Sequence, residues 1–385
     1  MNNKCYLVLS AGEWNDNAVS NMQISAELSK KNSVLYVETP GRRFPKLSEY
    51  KRAIARLIRI FKREISSSKG LDPENTIIFS PLAIPSHSNI LFRFVNSFIL
   101  TIQIKNFLRK HGFSNIIIWT FSPYWLPVIK NLERDKLVFH CVDGLHTYDN
   151  TDSFQNSFKE LSTTSDIVFT PNSILFEELK SLNDNTFKIG HGVTDSNIIG
   201  SHHYKEPPRE LLNNKSKIIV YSGTLANWVD YDLLFKCAEE LPDFKILLIG
   251  YIHALAPKRL VNRLIQHQRV IAVGYKDYKE LPHYYQNSSI GIIPYQSNNE
   301  HIKYSTPTKF LDYFASGLPV VTTDYPAAHE MKDLADIAID NEDFINKIRF
   351  TNLDSNKAKH YSQRRIEFAK NNTWDLQVKK MLKEL

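Results

Sequence analysis

Ile290-Gly-Ile-Ile-Pro-Tyr295, Gln296–Ser305, Thr306-Pro-Thr-Lys-Phe-Leu-Asp-Tyr-Phe-Ala-Ser-Gly317 and Leu318-Pro-Val-Val-Thr-Thr-Asp324 follow one another without a break. The first and last pieces are short apolar runs rich in β-branched residues, which read as strands. The second is a polar loop. The third has helical spacing with Thr306 as the expected N-cap, Pro307 at the first helical position and Gly317 just past the end. A helix that opens where a strand has just closed turns its free N–H groups toward the strand ends, which suits an anion such as a diphosphate. Lys309 falls in the first turn, where a cation is mildly unfavourable for the helix itself and gains purpose beside a bound phosphate. Asp312, three residues on, has two readings: it accepts hydrogen bonds from ribose hydroxyls, or it pairs with Lys309 on a solvated face for roughly 0.2–0.5 kcal/mol.

Two further loops are expected at the same sheet edge. Gly223 follows the run ending at Tyr221-Ser222, and Gly274-Tyr275 follows Val270–Val273. A glycine just past a strand lets backbone N–H groups approach a phosphate, and Tyr275 could flank a base. An ordinary strand-end turn is the plain alternative at each position.

Outward from this window the chain of 385 residues alternates strand-like and helix-like segments from end to end. Lys4–Ala11, Ser33–Glu38, Thr76–Ser80, Asn115–Thr120, Lys136–Val142, Asp166–Thr170 and Phe187–Gly190 form one strand series. Ile218–Tyr221, Lys245–Ile249, Val270–Val273, Ile290–Pro294, Pro319–Thr322 and Asp336–Ile339 form a second. Such alternation predicts an α/β protein with two doubly wound, Rossmann-like domains, ligands binding at the carboxyl ends of the strands and in the cleft between the halves. The polar stretch Ser201–Lys217, with Pro207 and Pro208, reads as the linker. The expected domains are 1–200 and 201–364, with 365–385 crossing back as helix onto the first. Cys5, Cys141 and Cys237 are far apart and lie in apolar runs, so they read as buried free thiols of a cytoplasmic protein, and no zinc spacing is seen. No stretch approaches the roughly 20 apolar residues of a membrane span. The charge of +7 points to an anionic partner.

Taken together, Tyr221-Ser-Gly-Thr-Leu225, Leu248-Ile-Gly250, Val273-Gly-Tyr275, Ile293-Pro-Tyr295 and Thr306–Val321 resemble the nucleotide-sugar half of bacterial GT-B glycosyltransferases. The likeness is to the teichuronic-acid and xanthan-glucuronosyltransferase kind, which build surface polysaccharides. Phe139-His-Cys-Val-Asp-Gly144, Val168–Ser173 and Gly190-His-Gly-Val193 are similar to segments of their first half. The resemblance implies a UDP-type donor held without a metal or other cofactor. Lys309 and the Thr306 end of the helix would hold the diphosphate, with Tyr295 near the donor, the Gly274–Tyr275 loop at the base and Asp312 at the ribose. Many retaining relatives carry two glutamates separated by seven residues. Here Tyr304 and Asp312 stand in those places, so retention does not carry over and inversion is the expectation.

Sugar transfer needs a group to take the proton of the acceptor hydroxyl, and a positioned carboxylate can do so. Asp143, just after a strand, is the expected base, with a loop-capping role as the alternative and His146 and Asp149 as further candidates. Gly12 and Trp14, after the first strand, are expected on the acceptor side: the glycine for close approach, the indole for stacking on a sugar or else packed at a strand-end turn. Arg52, Arg56, Arg59, Lys62 and Arg63 lie in the cation-dense stretch 42–69, where Ile54, Leu57, Ile58, Phe61 and Ile65 recur at helical spacing. That pattern reads as a membrane-surface element on anionic lipid, or as a helix packed on the sheet with a solvated basic face. The first fits an acceptor glycan carried on a lipid at the inner face of the plasma membrane. The function expected is transfer of a hexosyl or hexuronosyl unit from a nucleotide diphosphate sugar. Its rivals are a nucleotide-sugar epimerase of the same fold and a non-catalytic partner subunit. Nucleic-acid binding is disfavoured, because aliphatic residues interrupt the basic stretch and no reading motif is present.

Overall fold

The computed structural model describes residues 4–14, 19–40, 76–84, 90–145, 152–198, 206–351, 353 and 355–385. Arg52, Arg56, Arg59, Lys62, Arg63, His146 and Asp149 lie outside the described residues. The chain divides into two units, Met1–Ile189 with Val378–Leu385, and Gly190–Gln377.

Seven apolar runs of the first unit become β1 (Lys4–Leu9), β2 (Ser33–Val37), β3 (Thr76–Phe79), β4 (Asn115–Thr120), β5 (Lys136–His140), β6 (Ile167–Thr170) and β7 (Thr186–Lys188). They pair in parallel in the order β3-β2-β1-β4-β5-β6-β7. Parallel strands need crossovers, and the helices α1 (Ser20–Ser29), α2 (Ile90–Lys110), α3 (Asp152–Thr164) and α4 (Ser173–Lys180) lie in them. Helices on both faces bury both sides of a strand, which is why β1 reads as a nearly continuous apolar run rather than an alternating one.

The second unit repeats the plan with six strands: β8 (Lys217–Ser222), β9 (Phe244–Ile249), β10 (Val270–Gly274), β11 (Ile290–Ile293), β12 (Val320–Thr323) and β13 (Asp336–Ala338). Their order is β10-β9-β8-β11-β12-β13, again parallel. Its helices include α5 (Tyr231–Glu240), α6 (Lys258–Ile265), α7 (Leu281–Gln286), α8 (Lys309–Ala315), α9 (Asn341–Arg349) and α10 (Asn356–Lys370), and α11 (Trp374–Lys383) begins in it and ends in the first unit. Phe310, Tyr313 and Phe314 bring α8 into the core with Phe344 of α9. Gly317 closes α8 with φ +72; its N–H bonds the Phe314 carbonyl at 2.9 Å and the Leu318 N–H bonds that of Tyr313 at 3.0 Å, a Schellman ending.

The boundaries of the units fall at Ile189/Gly190 and Gln377/Val378, where the sequence suggested 200/201 and 364/365. Val193 explains the first shift. Its N–H bonds the Asn372 carbonyl at 3.0 Å and its carbonyl accepts from Trp374 N–H at 3.1 Å, tying the stretch after β7 to the second unit. The last residues cluster with the first unit, where the Lys136 ammonium reaches the Leu385 carbonyl. Cys5, Cys141 and Cys237 are free and buried, and burial raises all three thiols, that of Cys5 to about 12. Among the described residues no helix is long and apolar enough to cross a membrane, and no cluster of three or more His, Cys, Asp or Glu could hold a metal ion.

Candidate functional site

In a doubly wound sheet the strand order reverses at one point, and the loops leaving the two strands there diverge and open a crevice. In the second unit that point lies between β8 and β11. Gly223 leaves β8 with φ +147, a conformation side chains rarely tolerate. A Cβ on it would stand 2.4 Å from Lys309 Cε and 2.7 Å from Lys309 Nζ. The backbone conformation favours glycine, and any side chain here would push the flexible end of Lys309 aside. The same ammonium lies 5.7 Å from the ring centres of Tyr221 and of Tyr295, which leaves β11. Three elements converge on one cation: the ends of two strands and the first residue of α8.

Tyr313 fixes this convergence. It stands one turn after Lys309 on the same side of α8, and its hydroxyl accepts from Ser222 N–H at 3.0 Å and donates to the Val220 carbonyl at 3.2 Å. The Ser222 and Tyr285 hydroxyls bond at 2.6 Å. These bonds tie the end of β8 to α8, and so place the backbone of Lys309 beside Gly223.

The expected cap is displaced. Thr308, not Thr306, is the N-cap residue; it makes no side-chain cap bond, and Lys309 is the first helical residue. Thr306 is engaged elsewhere: its backbone hydrogen-bonds the imidazole of His191. Thr308 supplies the first carbonyl, bonded by Asp312 N–H at 3.1 Å. The helix that results has seven residues, so its dipole is a smaller contribution to an anion site than the sequence suggested, and the ammonium a larger one. His191 is buried, which pushes its imidazole down to about 4, so the ring is neutral at physiological pH. It packs edge-on against Trp374 at 6.0 Å.

Asp312 is 8% exposed. Its Oδ1 accepts the Tyr278 hydroxyl at 2.7 Å, and burial raises the carboxyl to about 6, opposed by that bond and by the charge of Lys309. Of the two sequence readings, the solvated surface pair with Lys309 is absent; the carboxylate's hydrogen-bond partner is Tyr278. Tyr278 follows the β10 loop, where Gly274 has φ +70 and its carbonyl accepts from Gly250 N–H at 2.8 Å. Tyr275 on that loop is 42% exposed. Gly223, Gly274, Tyr295, Lys309 and Asp312 are therefore gathered at strand ends of one sheet, as are the unanticipated Tyr221 and Tyr278.

Residues 204–368 match the family model for glycosyl transferases group 1. The matched residues lie wholly within the second unit. A 129-residue stretch is 30% identical to TuaH of Bacillus subtilis (strain 168), which bears the name of a teichuronic acid biosynthesis glycosyltransferase. That match spans 33% of this chain and 32% of the relative, so the chain aligns with about a third of the curated relative's length. Among solved structures, sucrose-phosphate synthase from Thermosynechococcus elongatus matches with a TM-score of 0.70 and 14% identity, covering 99% of this chain and 97% of that one. Anabaena Alr3699/HepE in complex with UDP-glucose matches with a TM-score of 0.67 and 13% identity, covering 99% and 100%. These likenesses establish the GT-B fold over the whole chain.

The residues expected in the first unit are less uniform in what they do. Asp143 lies three residues past β5 and is half-buried, and its carbonyl accepts from the Cys141 thiol at 3.4 Å. His140 is a core residue, buried and stacked against Phe121 and Trp119. Trp14 takes the packed alternative rather than the stacking one. It is 6% exposed, edge-on to Tyr36 at 4.8 Å, and donates its backbone N–H to Glu38 Oε1 at 2.7 Å. Glu38 went unnoticed in the sequence; its other oxygen takes the Ser80 hydroxyl, so one buried carboxylate ties the segments that follow β1, β2 and β3. Gly12 is half-buried, and an added Cβ would meet nothing within 4 Å.

Proposed function

We propose that the chain is a glycosyltransferase that moves a hexosyl or hexuronosyl unit from a nucleotide diphosphate sugar, a UDP-sugar first among them, to a lipid-linked or polysaccharide acceptor in surface polysaccharide synthesis. The observation that carries this reading is the Lys309 ammonium held over Gly223 at the β8–β11 switch point. A cation beside a bare backbone loop suits a diphosphate, both in the bound donor and as negative charge grows on the leaving group. Tyr275 is exposed enough to flank the base, and Asp312 offers a carboxylate for the ribose hydroxyls. No metal is needed in this reading, because Lys309 and loop amides offset the charge.

The reaction proposed is a single displacement with inversion. The Asp143 carboxylate accepts the proton of the acceptor hydroxyl as that oxygen bonds the anomeric carbon; the bond from that carbon to the diphosphate oxygen breaks, and the nucleoside diphosphate leaves with the electron pair. The protein works at the cytoplasmic face of the membrane, where its basic stretch 42–69 meets anionic lipid.

Heating the full chain with a panel of UDP- and GDP-sugars tests the donor side, since a ligand bound to the folded state raises the melting temperature by mass action. UDP-sugars are expected to stabilise at millimolar concentration. If neither nucleotide series shifts the transition, the reading fails. Conversion of donor with no acceptor present would point to epimerisation instead.

A further inference from the structure

We propose that the outward stripe of helix α2 (Ile90–Lys110) is a membrane-docking face that enters the headgroup layer of an anionic bilayer. The proposal extends the peripheral-membrane part of the reading above and does not require that the chain transfer sugar.

α2 has two unlike sides. Leu100, Ile104 and Leu108 are buried against the first unit. Asn96 is buried too, and its side chain bonds both Ile84 N–H, at 2.8 Å, and the Ile84 carbonyl, at 2.9 Å. Gln103 does the same to Leu82, at 3.0 and 2.8 Å. That side is committed to the fold. The other side carries Phe94, 75% exposed, and Phe98, 65% exposed, with Val95 and Ile102 also exposed. Residues 94, 98, 102, 105 and 109 recur at intervals of three and four, so the rings run on into Lys105 and Arg109 along one stripe. The stripe is about 22 Å long at the rise of an α-helix.

Two bare phenylalanines on one helix face exceed the scattered apolar residues of an ordinary surface and mark a partner. Charge selects which one. Arg93, Lys105, Arg109 and Lys110 stand on α2, and no Asp or Glu stands anywhere on it. A second protein surface closing over this stripe would have to supply every counter-charge for Lys105 and Arg109. Lipid phosphates supply them without design: the rings sink to the acyl boundary while the long cationic side chains reach to the headgroups. α2 lies along the surface rather than through it, because Arg93, Asn96, Gln103, Lys105 and Asn106 interrupt its apolar run, and it does not qualify as a span.

Sedimentation of the full chain with vesicles tests this, using phosphatidylcholine alone and phosphatidylcholine mixed with phosphatidylglycerol. Binding is expected to the mixed vesicles and to weaken with salt. Phe94→Ser with Phe98→Ser, and separately Lys105→Glu with Arg109→Glu, are each expected to lower it about tenfold or more, with the melting temperature unchanged because these side chains are outside the core. A polarity-sensitive dye on Phe98→Cys gives a reading that does not depend on those variants folding; its emission should move to the blue with mixed vesicles only. Unchanged vesicle binding by both double variants overturns the proposal, as does a dye that stays in water. A loss of dimer with vesicle binding intact would assign the stripe to a second copy of the chain. Donor-induced stabilisation is measured separately, so failure of the transferase reading leaves this result standing, and the reverse.

Discussion

The ammonium of Lys309 lies 2.7 Å from where a Cβ on Gly223 would stand, close enough that the two positions function as one unit. The lysine sits on the first residue of α8 and the glycine just past β8, and Tyr313 binds those two elements together through the Ser222 N–H. Whatever fills the crevice meets a cation backed by bare backbone.

Gly223→Ala is expected to abolish donor-induced stabilisation. The methyl group would sit on a backbone with φ +147 and displace the flexible end of Lys309, whose Cε lies 2.4 Å from its position, from the crevice. The strain of such a conformation is about 1–3 kcal/mol, so the melting temperature should fall by several degrees. Circular dichroism melts with and without UDP-sugar read both effects; unaltered donor binding would mean that the lysine can swing away without loss.

Lys309→Met keeps the length of the side chain and removes its charge. A charge-assisted contact to phosphate accounts for about 1.5–3 kcal/mol, so UDP affinity measured by calorimetry should fall about tenfold to a hundredfold. Stability should hardly change, since the ammonium is half-buried between the Tyr221 and Tyr295 rings rather than locked in an ion pair. Lys309→Arg is expected to keep only part of the affinity, because a planar guanidinium fork does not present its charge as the compact ammonium does.

The parts of this site that were readable in sequence are those set by neighbours along the chain. Gly317 announces itself as the residue after an apolar helix, and the strands show because burial on both faces leaves continuous runs such as Ile218–Tyr221 and Ile246–Ile249. The parts that were unreadable are set across the fold. Thr306 has every local mark of an N-cap, yet His191, over a hundred residues earlier, takes its backbone, and the helix starts later. Tyr278 precedes Asp312 by thirty-four positions with nothing periodic between them, and a hydrogen bond across the fold joins them. Trp14 is equally a sugar platform and a packed indole in sequence, because a sequence does not display Tyr36 and Glu38 closing on it. Gly223, Gly274 and Lys309 were legible because each stands at a strand end or helix start, where chain direction alone sets its place.

Asp312→Asn separates stability from donor recognition. Burial holds the carboxyl near 6 in the folded chain, against about 3.9 when unfolded. Between those values the folded state binds more protons, so this group's contribution to stability rises as pH falls through 6 toward 4 and is unfavourable at pH 7.5. The asparagine variant should therefore be as stable as the parent at pH 7.5 or more stable, by up to about 1–3 kcal/mol, with the difference fading below pH 4. Tyr278→Phe acts oppositely: the carboxyl loses the bond that lowers it, titrates higher, and the protein should be less stable at neutral pH. If Asp312 meets the ribose, UDP binding weakens in Asp312→Asn despite the gained stability. Urea melts across pH with UDP titrations on the same samples distinguish the two effects.

Asp143→Asn tests the base. Asparagine fills the same space but cannot take a proton from the acceptor hydroxyl, and loss of a general base lowers turnover about 10²- to 10⁴-fold. Asp143 lies in the first unit, past β5, whereas Lys309, Asp312 and Gly223 belong to the second. UDP affinity and donor-induced stabilisation should accordingly stay at parent values while transfer collapses. The Cys141 thiol gives a second readout. The charge of Asp143 adds to burial in holding that thiol up, so removing the charge should ease its reaction with a thiol reagent at high pH. A variant that keeps full transfer activity while Cys141 reacts more readily would assign Asp143 to its loop alone. The base would then have to be sought among the other carboxylates and imidazoles of the first unit.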